Sequence, residues 1–198
     1  MKSFLKSAAR FIALVLIFPL FLSWRARVSL LGRDLALEGS SELVSLLPGL
    51  TGSYLRSAFY SLVLQECHPS ARICFGTLFS KADSVIGENV YIGPRCHLGW
   101  VILEQDVLLA PGVHVPSGPH THGTSDPDRP IREQPGRSQV VRIGAGSWIG
   151  ANAVIMADVG ANCVVGAGAI VTRPLPDGVV AVGAPARVIQ QRFAAATA

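Results

Sequence analysis

The sequence predicts a mainly β fold, a parallel β-solenoid preceded by helices, and three observations predict it. Aliphatic residues recur at every sixth position: Ile86, Ile92 and Leu98, then Leu103, Leu109 and Val115, then Ile143, Ile149 and Ile155. A small residue follows many of them, as in Ile86-Gly87, Ile92-Gly93, Leu98-Gly99, Ile143-Gly144, Ile149-Gly150 and Val165-Gly166. One polar stretch, residues 117–139, breaks the period and carries His120 and His122. A fixed short period marks a stack of equivalent coils, and a loop inserted into such a rigid stack is where chemistry is placed.

The first element, residues 1–33, is basic and apolar. It holds Lys2, Lys6, Arg10, Arg25, Arg27 and Arg33 and no acidic residue, leaving eleven basic against thirteen acidic residues in the rest of the 198-residue chain. The net charge of +4 is therefore a property of this segment, not of a basic stripe interleaved with aromatics, which argues against nucleic acid as a partner. Phe11 to Trp24 is apolar throughout, flanked by Arg10 on one side and by Arg25 and Arg27 on the other. A spanning helix needs about 20 apolar residues, so this run is short. The stretch SWRARV offers no small-x-small cleavage site. The expected structure is an uncleaved interfacial or re-entrant anchor, bent at Pro19, with its arginines and lysines on anionic headgroups at the cytoplasmic face of the inner membrane. The competing reading is a helix that packs on the domain or on a neighbouring subunit.

Residues 34–70 form a helical cap. Ser40 or Ser41 is expected to cap a short turn ending at LPG, and Ser53 to cap a helix in which Leu55, Phe59, Leu62 and Val63 recur at helical spacing, stopped by Pro69. Such a cap hides strand edges of the first coil.

Residues 71–174 are the solenoid. Three hexapeptides make a coil of about 18 residues, and coils stack at the β spacing of about 4.8 Å. Hexapeptide solenoids coil left-handed, so the expected fold is a left-handed parallel β-helix. Glycine after the aliphatic residue is read as permitting turn geometry at the corners. The five-residue step from Leu98 to Leu103 and the ten-residue step from Ile155 to Val165 imply tightened corners. In residues 175–198, prolines end the coil, a short strand pair forms around Val179 to Val182, and Ala186 to Phe193 is expected to be a short C-terminal helix. Cys67, Cys74, Cys96 and Cys163 form no CxxC pair and read as small hydrophobes.

The stretches LLAPGVHVPSGPH, IGAGSWIGANAVIM and VVGAGAIVTRPLPDGVVAVGAPARVI, in this order and with the insertion after the first, resemble the hexapeptide-repeat acyltransferases. The likeness is to the maltose- and galactoside-type O-acetyltransferases and to those of surface-polysaccharide synthesis. It implies a homotrimer with active sites between subunits, acetyl-CoA as co-substrate with no metal required, and a sugar or lipid-linked glycan as acceptor. The family's catalytic histidine falls on His120, with His122 the rival base. An imidazole with an ordinary pKa near 6.5 suits a general base that takes a proton from a sugar hydroxyl as the oxygen attacks a thioester, with no acyl-enzyme. Backbone N–H groups of the coil turns can hold the resulting oxyanion. Asp126, Asp128 and Glu133 are candidates to orient the base. By the same resemblance Ala151 and Ala167 line the pantetheine slot, Thr172, Arg173 and Arg187 approach the nucleotide end, and Trp148 is a rung residue or a wall of the acyl slot. Gly93 stands where the relatives place an asparagine near the acceptor, and Gln190 where some have a further basic residue, so neither contact carries over. His97 and His114 read as packing residues, and His68 as a helix-end cap.

Two other classes compete. A metal hydratase of the γ-carbonic-anhydrase kind needs three histidines around zinc across a subunit interface, and the imidazoles here lack that family's spacing. A non-catalytic solenoid scaffolding a membrane complex would leave His120 and the arginines without a role.

Overall fold

The six-residue period folds into triangular coils of a left-handed parallel β-helix. The computed structural model describes residues 2–193; the last residues of the 175–198 segment lie outside the described residues. The first coil holds β1 (Glu66–Cys67), β2 (Arg72–Ile73) and β3 (Leu78–Phe79), and the second β4 (Val85–Ile86), β5 (Tyr91–Ile92) and β6 (His97–Leu98). The third holds β7 (Val101–Leu103), β8 (Leu108–Leu109) and β9 (His114–Val115), and the fourth β10 (Val141–Ile143), β11 (Trp148–Ile149) and β12 (Val154–Ile155). Then come β13 (Val164–Val165), β14 (Ile170–Val171), β15 (Val179–Val182) and β16 (Arg187–Gln191). Equivalent strands stack into three walls: β1-β4-β7-β10, then β2-β5-β8-β11-β13-β15-β16, then β3-β6-β9-β12-β14.

In each rung one residue faces the interior. Ile73, Ile86, Ile92, Leu98, Leu103, Leu109, Val115, Ile143, Ile149 and Ile155 are all fully buried, which accounts for the period. Burying each such side chain contributes roughly 1.5–3 kcal/mol. The glycines that follow act differently from the expectation. Gly93 and Gly150 are not in the left-handed region, which is taken two residues further on by residues such as Arg95, Gly112, Asn152 and Gly168. A Cβ on Gly93 would lie 2.7 Å from the carbonyl carbon of Ala110, and one on Gly150 2.4 Å from the nitrogen of Ala167. The backbone of the next coil passes where a side chain would stand, so close approach rather than turn geometry selects glycine.

The ten-residue step resolves into four and six. Val159 is buried and bridges Ile143 below and Leu175 above as a single residue, replacing a two-residue strand. The five-residue step is absorbed at Trp100, whose backbone N–H donates to Ser117 Oγ at 2.9 Å.

Three helices precede the coils: α1 (Lys2–Leu31), α2 (Arg33–Ser45) and α3 (Gly49–Val63). α1 continues as one helix through Pro19. It is long and apolar enough to cross a membrane. Ala13, Ile17 and Trp24 nevertheless join the core of the domain, and Leu20, Phe21 and Val28 pack against it. The opposite side exposes Phe11, Ile12, Val15, Leu16, Phe18 and Leu22. Neither predicted serine cap forms. Ser40 and Ser41 lie inside α2, and Ser53 inside α3, where Pro48 precedes the first turn. Burial recruits these hydroxyls to join elements instead: Ser41 Oγ hydrogen-bonds Tyr60 at 2.7 Å and accepts the N–H of Phe79 at 2.8 Å.

The expected C-terminal helix is a strand. β16 runs antiparallel to β15, pairing Arg187 with Val182 and Gln191 with Val179. The carbonyls and N–H groups of β15 need partners on their open side, and Val188 and Ile189 are β-branched residues suited to supply them.

Candidate active site

The insertion leaves the third wall after Val115 and returns at Val141, between the third and fourth coils. It is a built loop. Gln134, almost fully buried, donates from Nε2 to the carbonyls of Asp126 and Arg129, both at 2.8 Å, and accepts the N–H of Asp126 at 3.0 Å. The N–H of Arg137 donates to the carbonyl of His120 at 2.7 Å, and that of Gln139 to the carbonyl of Ser117 at 2.8 Å. A Cβ on Gly136 would lie 2.0 Å from the carbonyl oxygen of Thr121 and 2.7 Å from the nitrogen of His122. Gln134 and Gly136 therefore fix the path of the histidine segment. No sequence signal distinguished them from ordinary loop residues.

His120 and His122 are both exposed. Among the described residues neither imidazole has a hydrogen-bond partner. Two of the acidic residues considered as orienting groups have other partners: Asp126 Oδ1 accepts the N–H of Asp128 at 3.0 Å, and Glu133 pairs with Arg132 at 3.6 Å.

The outer face of the third wall carries Leu78, His97, His114, Val154 and Ile170 in register. His97 and His114 stack with ring centroids 4.9 Å apart, so they pack on each other at the surface and not inside the helix. Partial burial, reinforced by the charge of His97, holds His114 below the ordinary imidazole range. His68 caps no helix end; its Nδ1 meets Ser70 Oγ at 2.7 Å just after β1.

The residues expected at the donor end flank this face. Ala151 and Ala167 occupy the same corner on successive coils, joined by the Gly168 N–H to the Ala151 carbonyl at 2.8 Å. Thr172 and Arg173 lie at the other end of β14, both exposed. Arg187 is brought beside β14 because the N–H of Ala186 donates to the carbonyl of Ile170 at 2.8 Å. Small side chains at one corner leave room for a narrow chain, and the guanidinium of Arg187, on the segment beside β14, is of the kind that pairs with phosphate. Trp148 lies three residues before Ala151, on the strand that leads into the corner. It stands half-exposed on the second wall, paired with Leu108 and Val164. Cys67, Cys96 and Cys163 are buried, and burial pushes the thiols of Cys67 and Cys96 up to about 12 and about 11. Neither is a thiolate nucleophile at neutral pH. Among the described residues no three His, Cys, Asp or Glu side chains converge as a metal site.

A coil of this period thus carries a histidine loop on one side of a wall and a corner of small residues on the other. The profile of the hexapeptide repeat of succinyl-transferase matches residues 140–173. The chain is similar to the galactoside O-acetyltransferase of Escherichia coli (strain K12), at 29% identity over 72% of this chain and 81% of that protein. It is 35% identical to the galactoside O-acetyltransferase of Lactococcus lactis over 56% of this chain and 64% of that protein's length. A galactoside acetyltransferase solved in complex with coenzyme A superposes with a TM-score of 0.58 at 22% identity, covering 81% of each chain. Over its solenoid the chain is similar to hexapeptide-repeat acetyltransferases.

Proposed function

We propose that the chain is a CoA-dependent O-acetyltransferase that moves an acetyl group from acetyl-CoA to a hydroxyl of a sugar or lipid-linked glycan, with His120 as general base. One observation carries the reading: the His120 loop and the Ala151–Ala167 corner with Arg187 lie along one wall of the solenoid. The likeness to galactoside O-acetyltransferases supports the choice of donor and of a sugar acceptor. His120 accepts the proton of the acceptor hydroxyl while that oxygen attacks the thioester carbonyl, and the protonated imidazole returns it to the leaving thiolate. Since this wall is open in a single chain, the second side of the cleft comes from a neighbouring protomer of a homotrimer. That neighbour also supplies the group that orients His120. The exposed apolar side of α1 lies on the cytoplasmic face of the inner membrane. A helix tied lengthwise to the domain at Ala13, Ile17 and Trp24 rests in one leaflet more readily than it crosses both.

The test is release of CoA thiol from acetyl-CoA in the presence of candidate glycans. His120→Ala lowers turnover by roughly 10² to 10⁴. His122→Ala has a smaller effect. Wild-type turnover in the His120→Ala, His122→Ala double variant excludes the mechanism.

A further inference from the structure

Away from the histidine loop, α1, α3 and the first coil enclose a cavity of about 410 Å3. That lies within the roughly 300–1,000 Å3 range of small-molecule sites. Three cations line it: Lys6 and Arg10, one helical turn apart on α1, and Arg72 on β2. Leu14, Leu50, Tyr54 and Ala58 supply apolar wall. Among the described residues the ion pairs join Arg33 to Asp83, Lys81 to Asp34, Arg132 to Glu133 and Arg142 to Glu104, and involve none of the three. Arg72 instead lies over the ring of Tyr91, 5.7 Å from its centroid.

Three serine hydroxyls around the cavity have their protons committed, leaving the phenol of Tyr54 as a hydroxyl without a hydrogen-bond partner among the described residues. Ser53 donates to the carbonyl of Ile73 at 3.2 Å, Ser57 to that of Ala71 at 2.9 Å and Ser61 to that of Ala58 at 2.9 Å. A neutral glycan, which is read by such donors, finds few here. An anion finds three unpaired cations. Leu14 opens toward the exposed apolar side of α1, where Phe11 and Val15 lie, so the cavity joins a charged end to a greasy one. We infer that this cavity binds the phosphate head of an anionic membrane lipid, held by Lys6, Arg10 and Arg72, with its chains running along the exposed side of α1. The inference rests on the proposal that α1 lies on a membrane, and it adds a stoichiometric site to what would otherwise be a diffuse attraction.

The full-length protein in neutral detergent is titrated with dioleoylphosphatidylglycerol or dioleoylphosphatidylcholine, and bound lipid is counted by native mass spectrometry. One phosphatidylglycerol per chain is expected, with phosphatidylcholine retained far more weakly. Arg10→Glu and Arg72→Glu each weaken binding by about tenfold or more, whereas Arg25→Glu, the same charge change elsewhere on α1, leaves it unchanged. Equal retention of both lipids, or equal loss in Arg25→Glu, overturns the site. Displacement of the lipid by millimolar inorganic phosphate also overturns it, identifying a free-anion site instead. Sedimentation with phosphatidylglycerol vesicles reads the membrane proposal separately, through Phe11→Asp, Leu16→Asp. If the protein sediments without lipid selectivity, only this inference falls. If it selects the lipid in detergent but never sediments, the membrane proposal falls instead.

Discussion

Two side chains near the candidate site act through what they exclude or hold. Gly136 leaves no room for a methyl group against the backbone of Thr121 and His122. Gly136→Ala must push that segment outward, and a displacement on the order of 1 Å costs about a hundredfold in turnover. The expected result in the thiol-release assay is a large fall in kcat with the chain still folded by circular dichroism. His114 behaves oppositely to a stabilised cation. Its pKa is lower folded than unfolded, so on acidification the unfolded chain takes up the proton first. The stability it contributes is complete above the unfolded value near 6.5 and declines as pH falls through it. Melting between about pH 7 and pH 5 should therefore lose less in His114→Gln than in the wild type.

Between elements, the strongest tie is a buried guanidinium without a carboxylate. Arg56, on α3, is 1% exposed and donates from Nε to the carbonyl of Ile73 at 3.0 Å and from Nη1 to that of Leu47 at 2.5 Å. It thereby joins the end of α2 to the first coil, and burial lowers its pKa. Arg56→Met keeps much of the volume but orphans these carbonyls, at a cost of about 3 kcal/mol. Urea unfolding at one fixed protein concentration measures it, and Arg56→Lys should recover part. The elements differ in how far they could be read from residues. The coils were legible because one aliphatic position per rung has a single possible environment. The serine caps were not, because Ser41 serves Tyr60 and Phe79, partners distant in sequence. The final strand was missed because Ala186 to Phe193 takes its form from β15 beside it. At the site, the motif located the histidine loop and the alanine corner. It could not reveal Gln134, which works by burial.

Taken whole, the molecule is a rigid three-walled column with a helical collar at one end, and its two basic, apolar features sit on that collar. The proposed catalytic wall is assigned to the third wall of the column and the proposed lipid site to α1, α3 and the first coil at β2, so substitutions in one should leave the other intact. Arg10→Glu is expected to keep thiol release on a soluble acceptor at the wild-type rate.

β16 has a consequence for how such a column behaves in a crowded solution. A parallel solenoid ends in open backbone onto which another copy could stack, and repetition would yield a fibre. Here the last rung of the second wall meets a strand running the other way, with bulky Val188 and Ile189 and the charge of Arg187 on it. A second column arriving end-on meets these side chains and a reversed strand instead of a repeat of the coil, which disfavours axial stacking.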